Sequence, residues 1–178
     1  DVTVFDVDVA RMRYIDEVWG GRIGTRFSSP LAVREACGES DVVIGSVLVP
    51  GARTPHLVDH EMVLGMVPGS VLVDVAVDQG GCFEDSHPTT HADPTFVVGG
   101  SVFYCVANMP GAVPHTSTYA LTNATMRYVL LLADEGWRGA CGSRDDLRRG
   151  LATCGGKLVS APVGEALGIE CVPVSEVL

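Results

Sequence analysis

One segment constrains the fold of this 178-residue chain more than any other. In residues 71–77, five of seven positions are Val or Leu, and Asp78, Gln79, Gly80 and Gly81 come directly after. An apolar run of that length without polar alternation reads as a strand covered on both faces, the condition of strands in parallel sheets flanked by helices. In open α/β sheets the carboxyl ends of such strands face the ligand. An acid at that edge can enter a cleft, and glycines let the backbone approach a ligand closely. The same residues also read as a polar turn that closes a strand, and the segment by itself leaves both readings open.

The flanking chain repeats the pattern. Residues 2–5 read as a short strand, and residues 9–19 carry apolar side chains at 9, 12, 15, 18 and 19, a helical stripe. Residues 22–27 read as a second strand, and residues 30–36 as a helix with Ser29 as N-cap and Pro30 at its first position. Residues 41–49 form a third strand pattern, broken at Pro50 and Gly51. Residues 60–66 fit a short helix ended by Pro68 and Gly69. Residues 95–98 and 101–106, joined at Gly99 and Gly100, either pair as a hairpin or continue the sheet. Short connections between strands and helices predict an α/β chain with a doubly wound parallel sheet over the first hundred residues. Beyond Pro110 and Pro114, residues 116–133 carry a long helical pattern, with Thr116 or Ser117 as N-cap, of a length suited to joining two domains. A short helix near 145–151 and weaker elements at 157–160 and 163–167 complete residues 115–178.

Composition narrows the function classes. With 47% apolar and 19% charged residues, the chain can build a core and is not disordered. Its net charge of −10 disfavours nucleic acid and anionic membranes as partners, and neither is expected. No apolar run reaches the roughly 18 residues of a membrane span, and no signal-peptide pattern opens the chain. Cys37, Cys82, Cys105, Cys141, Cys154 and Cys171 form no CxxC pair. They read as reduced thiols used as small hydrophobes in a cytoplasmic protein, not as a disulfide framework or a zinc site. The chain opens at Asp1 and enters a strand pattern almost at once, as expected of a fragment.

Few residues carry chemistry by pattern alone. Asp6 ends the first strand, where dinucleotide-binding sheets place an acid that accepts hydrogen bonds from a ribose. Asp6 and Asp8 also both precede a helix, so capping is the competing reading. The glycine-rich phosphate loop belongs about 20 residues before such an acid, and only five residues precede Asp6. No GxGxxG occurs elsewhere, and Gly20–Gly21 and Gly155–Gly156 read as ordinary turns. His56/His60 and His87/His91 are i, i+4 pairs with acids nearby, yet neither matches HExxH. They read as solvated loop histidines, and no metal is expected. His115 reads as a helix-start residue. Gly45 and Ser46 do not make a GxSxG nucleophile elbow.

Taken in order, residues 42–52, 73–84, 87–90, 103–110 and 116–125 resemble the alanine dehydrogenase family, in the superfamily shared with the NAD-binding part of proton-translocating transhydrogenase. The likeness covers roughly the second half of such an enzyme. It implies a Rossmann-like sheet lacking its first strand and glycine-rich loop (residues 1–114), followed by a helical return segment of the substrate domain (residues 115–178). It also implies NAD as cofactor, and reversible oxidation of L-alanine to pyruvate and ammonia in amino-acid catabolism. The assembly it implies is a homohexamer.

The resemblance makes Asp6 the ribose acid and sets Arg11 and Ser28 beside the adenosine end. Val47 and Leu48 fall in the loop over the cofactor. Val75, Ala76, Val77 and Asp78, with Val106, Ala107, Asn108 and Met109, fall on segments lining the nicotinamide. Asp78 matches the catalytic aspartate, which handles a proton and orients water or ammonia. The His, Lys and Arg that bind the keto acid belong to an amino-terminal domain outside this sequence. The competing reading is a non-enzymatic NAD-binding module like the soluble part of transhydrogenase. The acid-Gln-Gly-Gly pattern at Asp78 favours the dehydrogenase. An unassigned α/β domain is the bland third reading, against which the ordered run of matching segments stands.

Overall fold

Strands form here where short β-branched runs meet capped helices. The computed structural model describes all residues, Asp1–Leu178. β1 (Thr3–Asp6) leads to α1 (Val9–Trp19), β2 (Gly24–Phe27) to α2 (Pro30–Glu39), and β3 (Val42–Gly45) to α3 (His60–Leu64). β4 (Val71–Asp74) runs into a 3-10 turn at Val77–Gln79, and β5 (Thr95–Val98) and β6 (Ser101–Tyr104) come next. The helix starts are chemically explicit. Asp8 accepts from the Ala10 and Arg11 N–H groups, Ser29 from Ala32 ahead of Pro30, and Asp59 from Met62.

The chain divides into two compact units, Asp1–Val47 with Thr54–Ala107, and Leu48–Arg53 with Asn108–Leu178. In the first unit β1 and β2 pair in parallel, and a separate sheet has the order β3-β4-β6-β5. β3, β4 and β6 are mutually parallel, whereas β5 runs antiparallel to β6. The two glycine-linked runs at 95–106 therefore do both things the sequence left open: they form a hairpin, and its second strand continues the parallel sheet. β1 pairs only with β2, and β3 pairs on one side only, with β4, so each keeps an unpaired edge. Val42 and Ile44 of β3 are exposed.

The strands are shorter than their apolar runs. β4 stops at Asp74, not at Val77, because the Asp74 carboxylate captures the Ala76 N–H and turns the chain out of the ladder. The third strand likewise ends at Gly45. A Cβ there would sit 2.6 Å from Cys82 Cβ and 2.9 Å from the Phe83 ring, so only glycine admits that packing. Leu72, Val58, Val63, Phe83 and Phe103 are buried around this junction. Phe83 meets Phe103 edge-on at 6.1 Å, and Phe96 stacks on Phe103 at 5.0 Å.

In the second unit α4 (Pro114–Ser143) begins before Thr116 and runs well past Ala133, with a break at Gly136, whose φ of 67° glycine accepts without strain. Neither Thr116 nor Ser117 is its N-cap. That place belongs to Val113, and Ser117 Oγ instead donates to the Pro110 carbonyl at 2.8 Å and the Val113 carbonyl at 3.0 Å. The unit is completed by α5 (Asp145–Gly150), the hairpin of β7 (Thr153–Cys154) and β8 (Lys157–Leu158), and α6 (Ala161–Leu167). Arg144 grips Asp146 at 2.7 Å, and Tyr128 also donates to that carboxylate, which together hold it far below the usual carboxylate range. Tyr119, Leu121, Met126, Val129 and Leu130 of α4 are exposed. No helix is long and apolar enough to cross a membrane.

The unpaired edges of β1 and β3 and the exposed apolar side chains on β3 and α4 predict that these 178 residues, expressed alone, fold poorly and lack activity. A urea titration followed by far-UV circular dichroism should give a broad transition with concentration-dependent association. A single cooperative transition together with NAD binding would contradict this.

Candidate functional site

Because β3, β4 and β6 are parallel, their carboxyl ends share one edge of the sheet, and the segments after Gly45, Asp74 and Tyr104 leave from it. The segment after β4 is the most constrained. Asp74 is fully buried. Its Oδ1 accepts from the Ala76 N–H at 3.0 Å, and its Oδ2 accepts from the Cys82 N–H at 2.8 Å, the Phe83 N–H at 3.4 Å and the Ser86 hydroxyl at 2.5 Å. A buried carboxylate is tolerated only when donors converge on it, and four do here. Gly80 and Gly81 both have positive φ, 101° and 82°. A Cβ on Gly81 would come within 2.9 Å of both Asp74 Oδ2 and Ser86 Cβ, so the close approach that glycine permits is directed inward, toward the acid. The Gln79 carbonyl accepts from the Thr54 N–H at 2.8 Å, and a His56 ring nitrogen lies 3.3 Å from the Gly80 carbonyl.

Asp78 sits at the middle of this loop in the 3-10 turn, exposed, with no hydrogen bond or ion pair to its carboxylate. Val75 beside it is exposed, whereas Ala76 and Val77 are buried in the core. Val47, after β3, is half-buried against that core. Val106 is buried and Ala107 is half-buried; both come after β6, with the Ala107 N–H donating to the Thr89 carbonyl at 3.1 Å. Val47, Val75–Asp78, Val106 and Ala107 thus leave one sheet edge. Leu48, Asn108 and Met109 belong to the second unit. Leu48 is exposed there, and Asn108 has a φ of 60°, the one non-glycine residue in the left-handed region.

At the end of β1, Asp6 is half-buried and its Oδ1 accepts from the Asp8 N–H at 2.9 Å. Asp8, not Asp6, caps α1, so the capping reading of Asp6 fails and its second oxygen is left without a hydrogen bond. Ser28 lies next to it across the β1–β2 pair, its N–H donating to the Asp6 carbonyl at 2.9 Å, and Arg11 is exposed in the first turn of α1. An acceptor with a spare lone pair at that strand end has the chemistry to bind a vicinal diol.

Two histidines make side-chain contacts at the surface, and three cysteines sit in the core. His60 opens α3 instead of lying in a loop and remains exposed: its N–H donates to Glu84 at 2.9 Å and its ring meets Asp85 at 3.0 Å. His87 stays an exposed loop residue, as its sequence suggests, with its ring stacked on Phe96 at 3.8 Å. Burial pushes the thiols of Cys37, Cys82 and Cys105 above their ordinary range, which keeps them protonated and poorly nucleophilic. Sequence reasoning passes over Asp74 and Ser86. A signal is present all the same, since an acid inside an otherwise apolar buried strand must be matched by donors.

Three outcomes are expected. Gly81→Ala should destabilise the protein by about 1–3 kcal/mol, from positive φ and the clash with Asp74, as read by chemical denaturation. Thr54 is 5% exposed and its hydroxyl has no partner. Thr54→Val should therefore be neutral or stabilising by about 1 kcal/mol. The Asp85 hydrogen bond, then its charge, raises the His60 pKa. The ion pair then stabilises the fold below the unfolded histidine pKa, near 6.5, and that gain fades as pH rises through the folded value. An NMR titration should give a midpoint above that of a free histidine, and Asp85→Asn should bring it down; an unmoved midpoint would remove the pair.

Comparison with known proteins identifies the family. A family model described as alanine dehydrogenase/PNT, C-terminal domain, matches residues 1–161. An alanine dehydrogenase of Mycolicibacterium smegmatis is 56% identical over 177 residues, 99% of this chain and 48% of the relative. One from Halomonas elongata is 53% identical over 178 residues, again 48% of its length, so the chain spans about half of the curated relatives it matches. Among solved structures, an L-alanine dehydrogenase superposes with a TM-score of 0.80 at 45% identity, covering 94% of this chain and 46% of the other. A transhydrogenase from Sinorhizobium meliloti is less similar, with a TM-score of 0.54 and 31% identity over 63% of this chain and 31% of that one. The chain belongs to the alanine dehydrogenase/PNT family and corresponds to its carboxy-terminal domain.

Proposed function

We propose that the protein to which this chain belongs is an NAD-dependent alanine dehydrogenase, which oxidises L-alanine to pyruvate and ammonia and runs the reductive amination in reverse. The observation that carries the reading is the Asp78 carboxylate, exposed and unpaired on a tightly held loop, in a chain 53–56% identical to alanine dehydrogenases. NAD, when bound, supplies the hydride acceptor for the substrate Cα. Asp6 would hold the adenosine ribose through its free oxygen, and an acid there repels a 2′-phosphate, which favours NAD over NADP. Arg11 and Ser28 would flank the adenosine. Val47, Val75 and Ala107 would line the apolar wall that keeps bulk water from the reacting carbon, with Ala76, Val77 and Val106 on the same segments behind it in the core. Leu48, Asn108 and Met109 join the cofactor contacts on family resemblance alone.

Asp78 carries the proton chemistry in this proposal. Its carboxylate would orient the water that adds at the substrate Cα during deamination and take up its proton. In the reductive direction it would hold ammonia at the same place. A group with that task must lie within hydrogen-bond reach of the proton it handles, and a carboxylate with no partner in the protein is available for it. The full-length protein would work in the cytoplasm as a homohexamer.

The second reading, an NAD-binding module of a transhydrogenase-like protein, rests on the structural likeness at TM-score 0.54 and is the weaker. Alanine-dependent NADH formation by the full-length protein separates the two. Asp78→Asn should lower turnover by about 10²–10⁴-fold, the usual span of general acid–base catalysis, with NAD affinity largely kept. Unchanged turnover would remove Asp78 from the mechanism.

A further inference from the structure

Both ends of the loop that bears Asp78 are tied to one buried carboxylate. Asp74 Oδ1 holds the entry through the Ala76 N–H, and Oδ2 holds the exit through Cys82, Phe83 and Ser86. Ser86 Oγ is itself approached by the Cys105 thiol at 3.8 Å, which links the clamp to the segment after β6. Between the anchors the loop is also held by the Gly81 N–H to the Ala76 carbonyl at 3.1 Å, the Thr54 N–H to the Gln79 carbonyl at 2.8 Å and a His56 ring nitrogen 3.3 Å from the Gly80 carbonyl. Asp78 has no hydrogen bond of its own, so its carboxylate stands where the backbone puts it. Closing a strand into a turn needs no buried acid, and a neutral acceptor would cost less to bury. What an acid adds is two oxygens, each able to accept at a different end of the loop.

We infer that Asp74 is a positioning residue for Asp78: it sets the 75–83 loop so that the Asp78 carboxylate meets the reacting carbon. This rests on the dehydrogenase reading above. Asp74 touches neither substrate nor cofactor and acts only through the loop. Misplacing a reacting group by about 1 Å can cost on the order of 10²-fold in rate, so a loosened loop would show mainly in kcat.

The test uses the full-length protein with Asp74→Asn, Ser86→Ala, Asp78→Asn and the double variants. An Asn side chain turns an amide NH2 toward at least one set of donors, whereas Ser86→Ala removes a single bond and keeps the fold if Asp74→Asn does not. The expected result is a fall in kcat for alanine oxidation of about 10²-fold for Asp74→Asn and about 10-fold for Ser86→Ala. The NADH dissociation constant, read by fluorescence, should stay within about threefold, and amide hydrogen exchange should quicken at Ala76, Cys82 and Phe83. In the Asp78→Asn background neither change should lower the residual turnover further, because residues that act as one unit are not additive. An equal loss in both backgrounds, or an unchanged kcat with quickened exchange, would overturn the inference. If the unmutated protein forms no NADH from alanine, the dehydrogenase reading fails instead, and the exchange data still report whether the clamp exists.

Discussion

A carboxylate buried at the end of β4 organises the first compact unit of this structure. Asp74 ends its strand by taking the Ala76 N–H out of the ladder, and it brings the chain back eight residues later by accepting from Cys82. That pair of bonds conditions the packing around it. Gly81 must lack a side chain because the acid lies against it, and Gly45 must lack one because Cys82 and Phe83 are drawn over the end of β3. Phe83, thus placed, closes the aromatic cluster with Phe103 and Phe96. The loop that results is hydrogen-bonded at both ends and presents an exposed acid near its centre.

The sequence shows the architecture well because its signals are local. Ser29 before Pro30, Asp8 before an apolar stripe and the Gly99–Gly100 pair each specify their element through a neighbour within a few residues. Asp6 is ambiguous in sequence for a physical reason: two acids precede α1, and only backbone dihedrals decide which one caps. Strand ends are less legible. Val75 and Val77 have every propensity for a strand, and the turn that contains them is imposed by a carboxylate whose partners lie up to twelve residues away. The start of α4 misleads because Ser117 has carbonyl partners behind it and no free N–H to cap ahead.

The candidate site divides along the same line. Asp78, with its two glycines, stands out in sequence because polar residues and glycines interrupt an apolar run. Asp74 does not, since a single acid among valines looks like part of the strand until its donors are seen. His60 and His87, which carry charge and ring chemistry, are exposed and pair with the side chains of Asp85 and Phe96. Family membership rests on similarity along nearly the whole chain, and the chemistry proposed for it rests on a much smaller set of atoms at one sheet edge.

The most direct measurement tracks the hydrogen on the substrate carbon. Full-length protein incubated with NAD and L-alanine deuterated at Cα should yield reduced cofactor that carries the deuterium, in step with pyruvate and ammonia. Absence of deuterium in the reduced cofactor, or no reduction at all, would contradict the assignment of this chain to an alanine dehydrogenase.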